Sequence, residues 1–345
     1  MARIRYMTAG ESHGPALTAI LEGLPAGLAI DEALIRADLA RRQIALGAGG
    51  RMAIETDFAE IVGGVMGGFT TGAPVALRIA NRNHEAWKGR AIPAFTTPRP
   101  GHADFAAAVK YGYDDVRPAL ERASARETAA RVAVGACCRA LLKELGVEVS
   151  GRVVEIGGET DEGRIASAIA AAADEGETLG GIVEVVAKGL PVGLGSHVSA
   201  DRRLDARLAA AMASVPAIKG VEFGDGFALA RMKGTETRGR MGGLAGGITD
   251  GADLVVRVAM KPIPTTRRPQ PTVDLATGGP AETVYERSDV CPVPRAVVII
   301  EAMACITLAD AFAEKLGGDS LREMKDRLAA LPDTVRMDPG EKVFW

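Results

Sequence analysis

A glycine-rich segment occurs twice in the chain, and this repeat constrains the fold more than any other feature. Residues 63–80 read GGVMGGFTTGAPVALRIA, and residues 242–259 read GGLAGGITDGADLVVRVA. In both copies the glycines indicate turns or close backbone approach, and an apolar stretch typical of a strand follows. A second pair, GLPAGL at 23–28 and GLPVGL at 189–194, also recurs. We interpret the two pairs as an internal duplication; the alternative is two similar turns between unrelated strands.

Each half also contains a long apolar segment that predicts a helix, at residues 124–145 and 297–316. In the first, Ser124 and Glu127 have the spacing of a capping box, and Gly146 predicts the end of the helix. A helix with so little polar surface is expected to be buried on more than one side. We therefore predict an α+β fold, an internally duplicated β-α-β sandwich in which the helices pack between two antiparallel sheets.

Apolar periodicity and capping residues predict the remaining elements. These are strands at 2–8, 52–55, 60–65 and 74–80, and helices at 31–44, 161–174 and 202–213. Because each central helix needs the other half to bury it, we expect a single domain over residues 1–345, with repeats at roughly 1–150 and 180–320.

Bulk composition limits the classes of function. The 345 residues include 41 Lys and Arg and 44 Asp and Glu, for a formal net charge of −3, so a general nucleic-acid binder is not expected. The four cysteines lack CxxC spacing and neighbouring histidines, which argues against a zinc site or disulfide framework and fits a reducing cytoplasm. We also expect no signal peptide and no apolar run long enough to span a membrane.

Charged side chains cluster where the first long helix is predicted to begin. Arg122, Ser124 and Arg126 stand where free N–H groups and the helix dipole favour an anion. Guanidinium groups bind phosphate or carboxylate through two hydrogen bonds. The turn-rich run RPGHAD at 99–104 adds a histidine. The alternative is that Ser124 only caps the helix and that the arginines face solvent.

Seven segments, taken together, resemble the chorismate synthase family. They are GESHG at 10–14, RPGHAD at 99–104, ERASARETAARVAVGA at 121–136, GDGF at 224–227, GGLAGGI at 242–248, KPIPT at 261–265 and RSDVCPVPRA at 287–296. The resemblance runs from residue 8 to about residue 317, in the family's order. It implies conversion of 5-enolpyruvylshikimate 3-phosphate into chorismate by anti-1,4-elimination, with reduced FMN required although the net reaction is redox-neutral. It also implies a β-α-β sandwich and a homotetramer, and the sandwich agrees with the fold predicted from the repeat.

The resemblance implies roles for individual residues. His13 matches the histidine beside the leaving phosphate, His102 the one near the flavin, and Asp289 the carboxylate that assists proton movement at the flavin. Ser12 and Ser124 match hydroxyls of the same relay or of the substrate shell. Flavin-contacting positions are matched by Arg122, Ala123, Ser124, Gly246, Lys261, Pro262, Ile263, Pro264, Thr265 and Arg287. Substrate-side arginines are matched by Arg42, Arg51, Arg99, Arg126 and again Arg287. We interpret His84 and His197 as structural.

The chain departs from the family pattern in two places. Ala48 stands where a substrate-side arginine is expected, and Gly239-Arg240-Met241 stands where an Asn-containing run is common. Loss of one charge-assisted contact costs roughly 1.5–3 kcal/mol. Two other functions stay open: a lyase acting on another phosphorylated anion, and a non-catalytic flavin- or anion-binding scaffold. Because no segment is left for a flavin reductase domain, we expect an external flavin reductant.

Overall fold

The computed structural model describes residues 3–43, 57–285, 289–332 and 334–341. Its helices and strands alternate in a pattern that occurs twice. In chain order they are β1 (Arg5–Ala9), β2 (Ala16–Glu22), α1 (Glu32–Gln43), β3 (Ala59–Gly63), β4 (Val65–Met66), β5 (Phe69–Thr70), β6 (Val75–Ala80), α2 (Asp104–Tyr111), α3 (Arg117–Arg122), α4 (Thr128–Glu144), β7 (Glu148–Ile156), α5 (Glu162–Glu175), β8 (Gly181–Lys188), α6 (Leu204–Ala213), β9 (Ile218–Phe223), β10 (Leu244–Ala245), β11 (Ile248–Thr249), β12 (Leu254–Met260), β13 (Pro271–Val273), β14 (Pro280–Glu282), α7 (Val293–Leu316) and α8 (Leu321–Ala329).

Two four-stranded antiparallel sheets share one topology. The first sheet has the order β1-β2-β6-β3 and the second β7-β8-β12-β9. In each, the four long strands of a half lie in the order first, second, fourth, third, and a short hairpin (β4–β5 or β10–β11) precedes the fourth strand. The predicted fold class is therefore confirmed. The single-domain boundary at 1–345 stays a prediction.

The helical layer lies between the sheets. α4 packs on β2 and β6, α7 packs on β7 and β8, and the two helices make extensive contact with each other. At their crossing, a Cβ built on Gly135 would lie 2.3 Å from the Cβ of Ala302. Glycine is therefore needed in α4 because only its missing side chain lets the two backbones approach this closely. α1 and α6 complete the layer against α7.

The first long helix begins later than predicted. A 3₁₀ turn, Ala125–Glu127, precedes α4, and the Ser124 hydroxyl accepts from the N–H of Arg126. The Glu127 carboxylate instead accepts from the Thr8 hydroxyl at 2.6 Å and from Arg131 at 2.9 Å. The predicted capping box is therefore wrong, because tertiary partners take its glutamate. Gly146 follows the helix at φ 79°, as predicted for a helix end.

Other boundaries shift by a few residues. β1 begins at Arg5 instead of residue 2, and α7 begins at Val293 instead of residue 297, with a proline in its first turn. The helices predicted at 31–44, 161–174 and 202–213 correspond to α1, α5 and α6. α2 and α3 were not predicted. The strand predicted at 52–55 lies outside the described residues.

The expectation that no apolar run is long enough to span a membrane is wrong. Among the described residues, α7 alone meets the length and composition criteria, with 24 residues and a most apolar window of mean hydropathy 2.0. All of that window is buried inside the protein. The helix is apolar all round because other elements surround it in the core of the sandwich.

Candidate active site

His13 lies in the turn between β1 and β2, and Glu121 of α3 binds that turn at several points. The imidazole Nδ1 is 2.6 Å from Glu121 Oε1, and the His13 backbone N–H donates to Oε2 at 2.7 Å. The Ser12 N–H donates to the backbone carbonyl of Glu121 at 3.3 Å. Two residues that follow β6 also take part: the Trp87 ring lies 4.3 Å from the His13 ring, and His84 Nδ1 donates to the His13 carbonyl.

The same turn is tied to the junction before α4. The Ser124 hydroxyl donates to the Ser12 hydroxyl at 3.1 Å. Arg122 donates to the Thr8 carbonyl and hydroxyl, each at 2.9 Å, and to the Gly10 carbonyl at 3.3 Å. Residues separated by more than a hundred positions are thereby brought together.

The second histidine, His102, also has a carboxylate partner. Asp104 is completely buried, and its Oδ1 lies 2.5 Å from His102 Nδ1. Arg99 donates to Asp104 from Nε at 2.8 Å and from Nη2 at 3.0 Å. Burial disfavours the charged carboxylate, but the hydrogen bonds from His102 and Arg99 outweigh it and hold the pKa of Asp104 well below its usual range. Arg99, predicted on the substrate side, is thus engaged with Asp104.

The loop after β12 lies against the His102 turn. Lys261 Nζ donates to the Gly101 carbonyl at 3.2 Å, and a Cβ built on Gly101 would lie 3.4 Å from the Pro264 Cβ. The Thr178 hydroxyl donates to the Ile263 carbonyl at 2.6 Å and holds the loop from the other side. Burial lowers the pKa of Lys261. The predicted flavin loop of the second half therefore contacts the histidine turn of the first.

A cleft of about 520 Å³ opens beside His102, which is within the usual range for small-molecule sites. It is lined by Pro98, Arg99, Pro100, Gly101, His102, Phe105, Ala106, Thr272 and Val273. The lining combines apolar side chains with a few polar groups, as ligand pockets do.

Arg42 and Arg126 form a buried cationic pair on Asp57. Arg126 Nη1 donates to Asp57 Oδ1 at 2.5 Å, and Arg42 Nη1 lies 3.5 Å from Oδ2. Arg42 also donates to the Thr128 hydroxyl at 3.1 Å and to the Ala125 carbonyl at 2.8 Å. Both arginine side chains are only 5% exposed. They are fixed beneath the surface and not extended into solvent.

Asp289 brings a carboxylate of the second half to this cluster. Its Oδ2 accepts from Arg295 Nη1 at 2.7 Å, while Arg295 Nε and Nη2 are buried with no hydrogen-bond partner among the described residues. Burial lowers the pKa of Arg42 to about 10; Asp57 opposes this shift, and Arg126 and Arg295 add to it. Three cations thus meet two carboxylates where α4 and α7 begin, an arrangement that favours an anion.

Some predicted residues are not placed in this region. Gly246 lies in the β10–β11 turn, and the seven residues of β12 separate it from Lys261, which is roughly 23 Å at about 3.3 Å per residue. Arg51, Arg287 and the unusual Ala48 lie outside the described residues.

Sequence reasoning missed five residues of the site. They are Asp57, Asn81, Asp104, Glu121 and Arg295. Asp104, Glu121 and Arg295 stand inside the recognised motifs, and a rule that each buried histidine or carboxylate needs a polar partner would have pointed to them. Asp57 and Asn81, whose Oδ1 accepts from Arg126 Nε at 2.8 Å, lie outside those motifs and had no such signal.

The cysteines take no part in the site. All four are free and buried, and burial raises the pKa of Cys137 and of Cys305 to about 12 and that of Cys291 to about 11. They are therefore protonated, inert thiols of the core. Within the described ranges, no group of three or more His, Cys, Asp or Glu residues could hold a metal ion.

Comparison with known proteins identifies the family. The chorismate synthase family model matches residues 4–313. The chain is 51% identical to chorismate synthase of Caldanaerobacter subterraneus subsp. tengcongensis, over 93% of this chain and 96% of that protein. It is 47% identical to chorismate synthase of Geobacter sulfurreducens, over 96% and 99%. A solved chorismate synthase crystal structure superposes with a TM-score of 0.76 at 39% identity, covering 95% of this chain and 97% of that one. The chain belongs to the chorismate synthase family, whose members are carbon–oxygen lyases of aromatic amino acid biosynthesis.

Proposed function

We propose that the protein converts 5-enolpyruvylshikimate 3-phosphate into chorismate by anti-1,4-elimination of phosphate and a ring hydrogen. The observation that carries this proposal is the buried cluster of Arg42, Arg126 and Arg295 on Asp57 and Asp289. A substrate with two carboxylates and a phosphate needs fixed cations when it leaves water. The cluster supplies them at the point where the two halves meet.

The residues present fit reduced FMN. Lys261 and Arg122 offer positive charge, and the Lys261 loop and the cleft beside His102 offer apolar walls. The flavin would be held by Arg122, Ala123, Ser124, Lys261, Pro262, Ile263, Pro264, Thr265 and Arg287. When bound, reduced flavin supplies an electron-rich ring that promotes loss of phosphate and is not consumed overall.

The side chains divide the proton chemistry between them. His13 donates a proton to the leaving phosphate, and the hydrogen-bonded pair Ser12–Ser124 orients the group it protonates. Asp289, held by Arg295, assists proton movement beside the flavin as the ring proton leaves the substrate. His102, backed by Asp104, places positive charge beside the flavin. An imidazole can both hold and release a proton, so both side chains suit this chemistry.

We further propose a cytoplasmic homotetramer that receives reduced FMN from an external flavin reductant. The outer face of the first sheet exposes Met7 (73%) and Ile20 (41%), which supports self-association. Because β12 lies between Gly246 and Lys261 in the chain, we propose that Gly246 contacts the flavin of a neighbouring protomer. We propose neither a nucleic acid nor a membrane as a partner.

The test is anaerobic turnover of the purified protein with 5-enolpyruvylshikimate 3-phosphate and chemically reduced FMN, followed by chorismate absorbance and phosphate release. We expect equal amounts of both products and no net oxidation of flavin. An Ala48→Arg variant is expected to lower KM, because it restores an arginine on the substrate side.

Other outcomes separate the alternatives. Turnover with NADPH and oxidised FMN, without a reductase, would contradict the external source of reduced flavin. If folded protein leaves this substrate unchanged but releases phosphate from another anion in a panel, it is a lyase of different specificity. No release from any anion, with flavin still bound, would identify a scaffold.

A further inference from the structure

We infer that Glu121 is a positioning residue that fixes the tautomer of His13 and favours its imidazolium form. The role of His13 as the acid toward phosphate rests on the proposed function. The pairing itself rests on geometry alone.

The two oxygens of Glu121 accept from two different donors of His13. Oε2 accepts from the backbone N–H at 2.7 Å, and Oε1 lies 2.6 Å from Nδ1. Because an ionised carboxylate can only accept, Nδ1 must carry the proton. Such a short contact is typical of a charge-assisted hydrogen bond. Nε2 is then the ring nitrogen on the side away from Glu121.

The surroundings of His13 keep this arrangement rigid. The side chains of His13 and Glu121 are 19% and 11% exposed, and the Trp87 ring covers the imidazole at 4.3 Å. Among the described residues, other charged groups around the turn include His84, whose Nδ1–H is directed to the His13 carbonyl, Glu11 beside Gly14, and Arg122, which donates to the Gly10 carbonyl. These contacts do not involve His13 Nδ1.

This geometry assigns the path of the proton. The imidazolium carries N–H groups at both ring nitrogens. Nε2 gives its proton to a phosphate oxygen as the carbon–oxygen bond breaks, and the neutral ring keeps Nδ1–H toward Glu121. The pairing thus returns His13 to one tautomer, with Nε2 ready to be protonated again.

A Glu121→Gln substitution tests this with almost no change of shape. An amide has one acceptor oxygen and one NH₂ donor. If its oxygen keeps the backbone N–H of His13, its NH₂ faces Nδ1, which is favourable only when Nδ1 has no proton. The variant should therefore move the neutral ring to the Nε2–H tautomer and disfavour the imidazolium.

The experiment combines NMR with kinetics on the full chain. In protein labelled with ¹⁵N-histidine, two-bond ¹H–¹⁵N spectra report the tautomer, and a His13→Asn variant assigns the signal. We expect Nδ1–H in the native protein and Nε2–H in Glu121→Gln. In turnover, kcat should fall by about tenfold to a hundredfold with KM nearly unchanged, which is below the 10²–10⁴-fold that a general acid contributes. The alkaline limb of the pH–rate profile of Glu121→Gln should also lie at lower pH than that of the native protein.

Two further variants make the result decisive. Glu144→Gln, at an exposed ion pair with Lys325, should leave the tautomer and kcat unchanged. Glu121→Asp keeps the carboxylate and should keep the Nδ1–H tautomer. A native tautomer and a native pH profile in Glu121→Gln would overturn the inference. If the native chain fails the turnover assay, the proposed function fails, whereas the tautomer measurement still decides the pairing.

Discussion

The outer faces of the two sheets differ although their topology is the same. In the second sheet, Arg152, Glu184, Arg257 and Glu222 lie opposite one another across β7, β8, β12 and β9. Glu184 accepts from Arg152 and Arg257, each at 2.7 Å, and Glu222 lies 3.8 Å from Arg257. This sheet therefore carries a continuous ladder of alternating charge.

The first sheet carries only part of that ladder. Arg78, which corresponds to Arg257 in the repeat, lies 3.6 Å from Glu60. Its neighbour on β2 is Thr18, where the second sheet has a glutamate. Met7 and Ile20 are paired alongside and exposed. The inward-facing pattern survives in both halves because the core requires it, whereas the outer faces are free to diverge.

The helices of the two halves also differ, because an ion pair between them has its charges exchanged. In the first half, Asp38 of α1 accepts from Arg139 of α4 at 3.0 Å. In the second half, Arg207 of α6 donates to Asp310 of α7 at 2.5 Å. Arg139 and Asp310 occupy corresponding positions of the two helices, because Arg139 precedes Gly146 by as many residues as Asp310 precedes Gly317. The duplicated fold therefore requires a pair of opposite charges at this place but does not require a particular order.

The largest expected effect comes from removing Glu301, which breaks the correspondence between the helices. Glu301 is 1% exposed and accepts from Arg41, Arg139 and the N–H of Gly151. The corresponding position of α4 is Ala130, so only α7 bears this carboxylate. Glu301→Gln should lower the free energy of unfolding by about 3 kcal/mol, because Arg41 and Arg139, whose side chains are 46% and 27% exposed, lose a buried carboxylate partner. Unfolding in guanidinium chloride measures this change in the free energy of unfolding.

A matched control for Glu301→Gln lies on the surface. Glu323 pairs with Arg327 one turn along α8, and both side chains are over 40% exposed. Glu323→Gln should change the free energy of unfolding by less than about 0.5 kcal/mol. Equal effects of the two substitutions would contradict the importance of the buried charge.

Lowering the pH is expected to have a smaller effect on the free energy of unfolding. That effect should be greater at Asp104 in the first half than at Glu184 in the second. The pKa of Asp104 is lowered, so its contribution to stability is present above the unfolded value of about 3.9 and is lost as pH falls through the folded value. Asp104→Asn should lower the free energy of unfolding at pH 7 by on the order of 1–3 kcal/mol and should flatten its decline below about pH 4. Unfolding curves at several pH values test this.

Glu184 supplies the comparison in the second half. Burial opposes its ionisation, but Arg257 and Arg152 outweigh burial and lower its pKa. Because the Arg152 side chain is 65% exposed, solvent screens this interaction. Glu184→Gln should therefore flatten the acid decline less than Asp104→Asn. The opposite ranking would show that the ladder contributes more than the histidine site.

The smallest effect should come from completing the ladder in the first sheet. Thr18→Glu places a carboxylate opposite Arg78, where the second sheet has one. We expect a gain of up to about 0.5 kcal/mol, the range of exposed cross-strand pairs. A double-mutant cycle with Arg78→Ala isolates the pair. A gain that persists without Arg78 would have another origin.

The repeat and the apolar periodicity predicted the fold well because they record burial along the chain. Both central helices, α1, α5 and α6, and strands β1, β3 and β6 were predicted within a few residues, whereas β2, β7, β8 and β9 were not predicted. The capping box at Ser124 and Glu127 failed because a local pattern does not include Thr8 and Arg131, which bind the glutamate. Nothing in the sequence around Trp87 indicates that its ring packs on His13.

For the site, the motifs named both histidines, Asp289 and the arginines, but not the carboxylates that hold them. Glu121 and Asp104 stand in those motifs, yet their partners depend on how α3 and the turn before α2 are packed. The resemblance named Arg42 and Arg126 as substrate-side arginines but not the carboxylate that holds them. The structure buries them on Asp57, which only the packing of α1 against α4 brings within reach.

By itself, the sequence determined the fold class, the duplication pattern and the residue types at the site, because periodicity and motif spacing are properties of the linear chain. Only the tertiary structure decided which charges pair, which carboxylate lies beside each histidine and which arginines are buried. The physical reason is range: hydrogen bonds and ion pairs act over a few ångströms. Partners such as His13 and Glu121, far apart in the chain, reach that distance only after the sheets have closed over the helices.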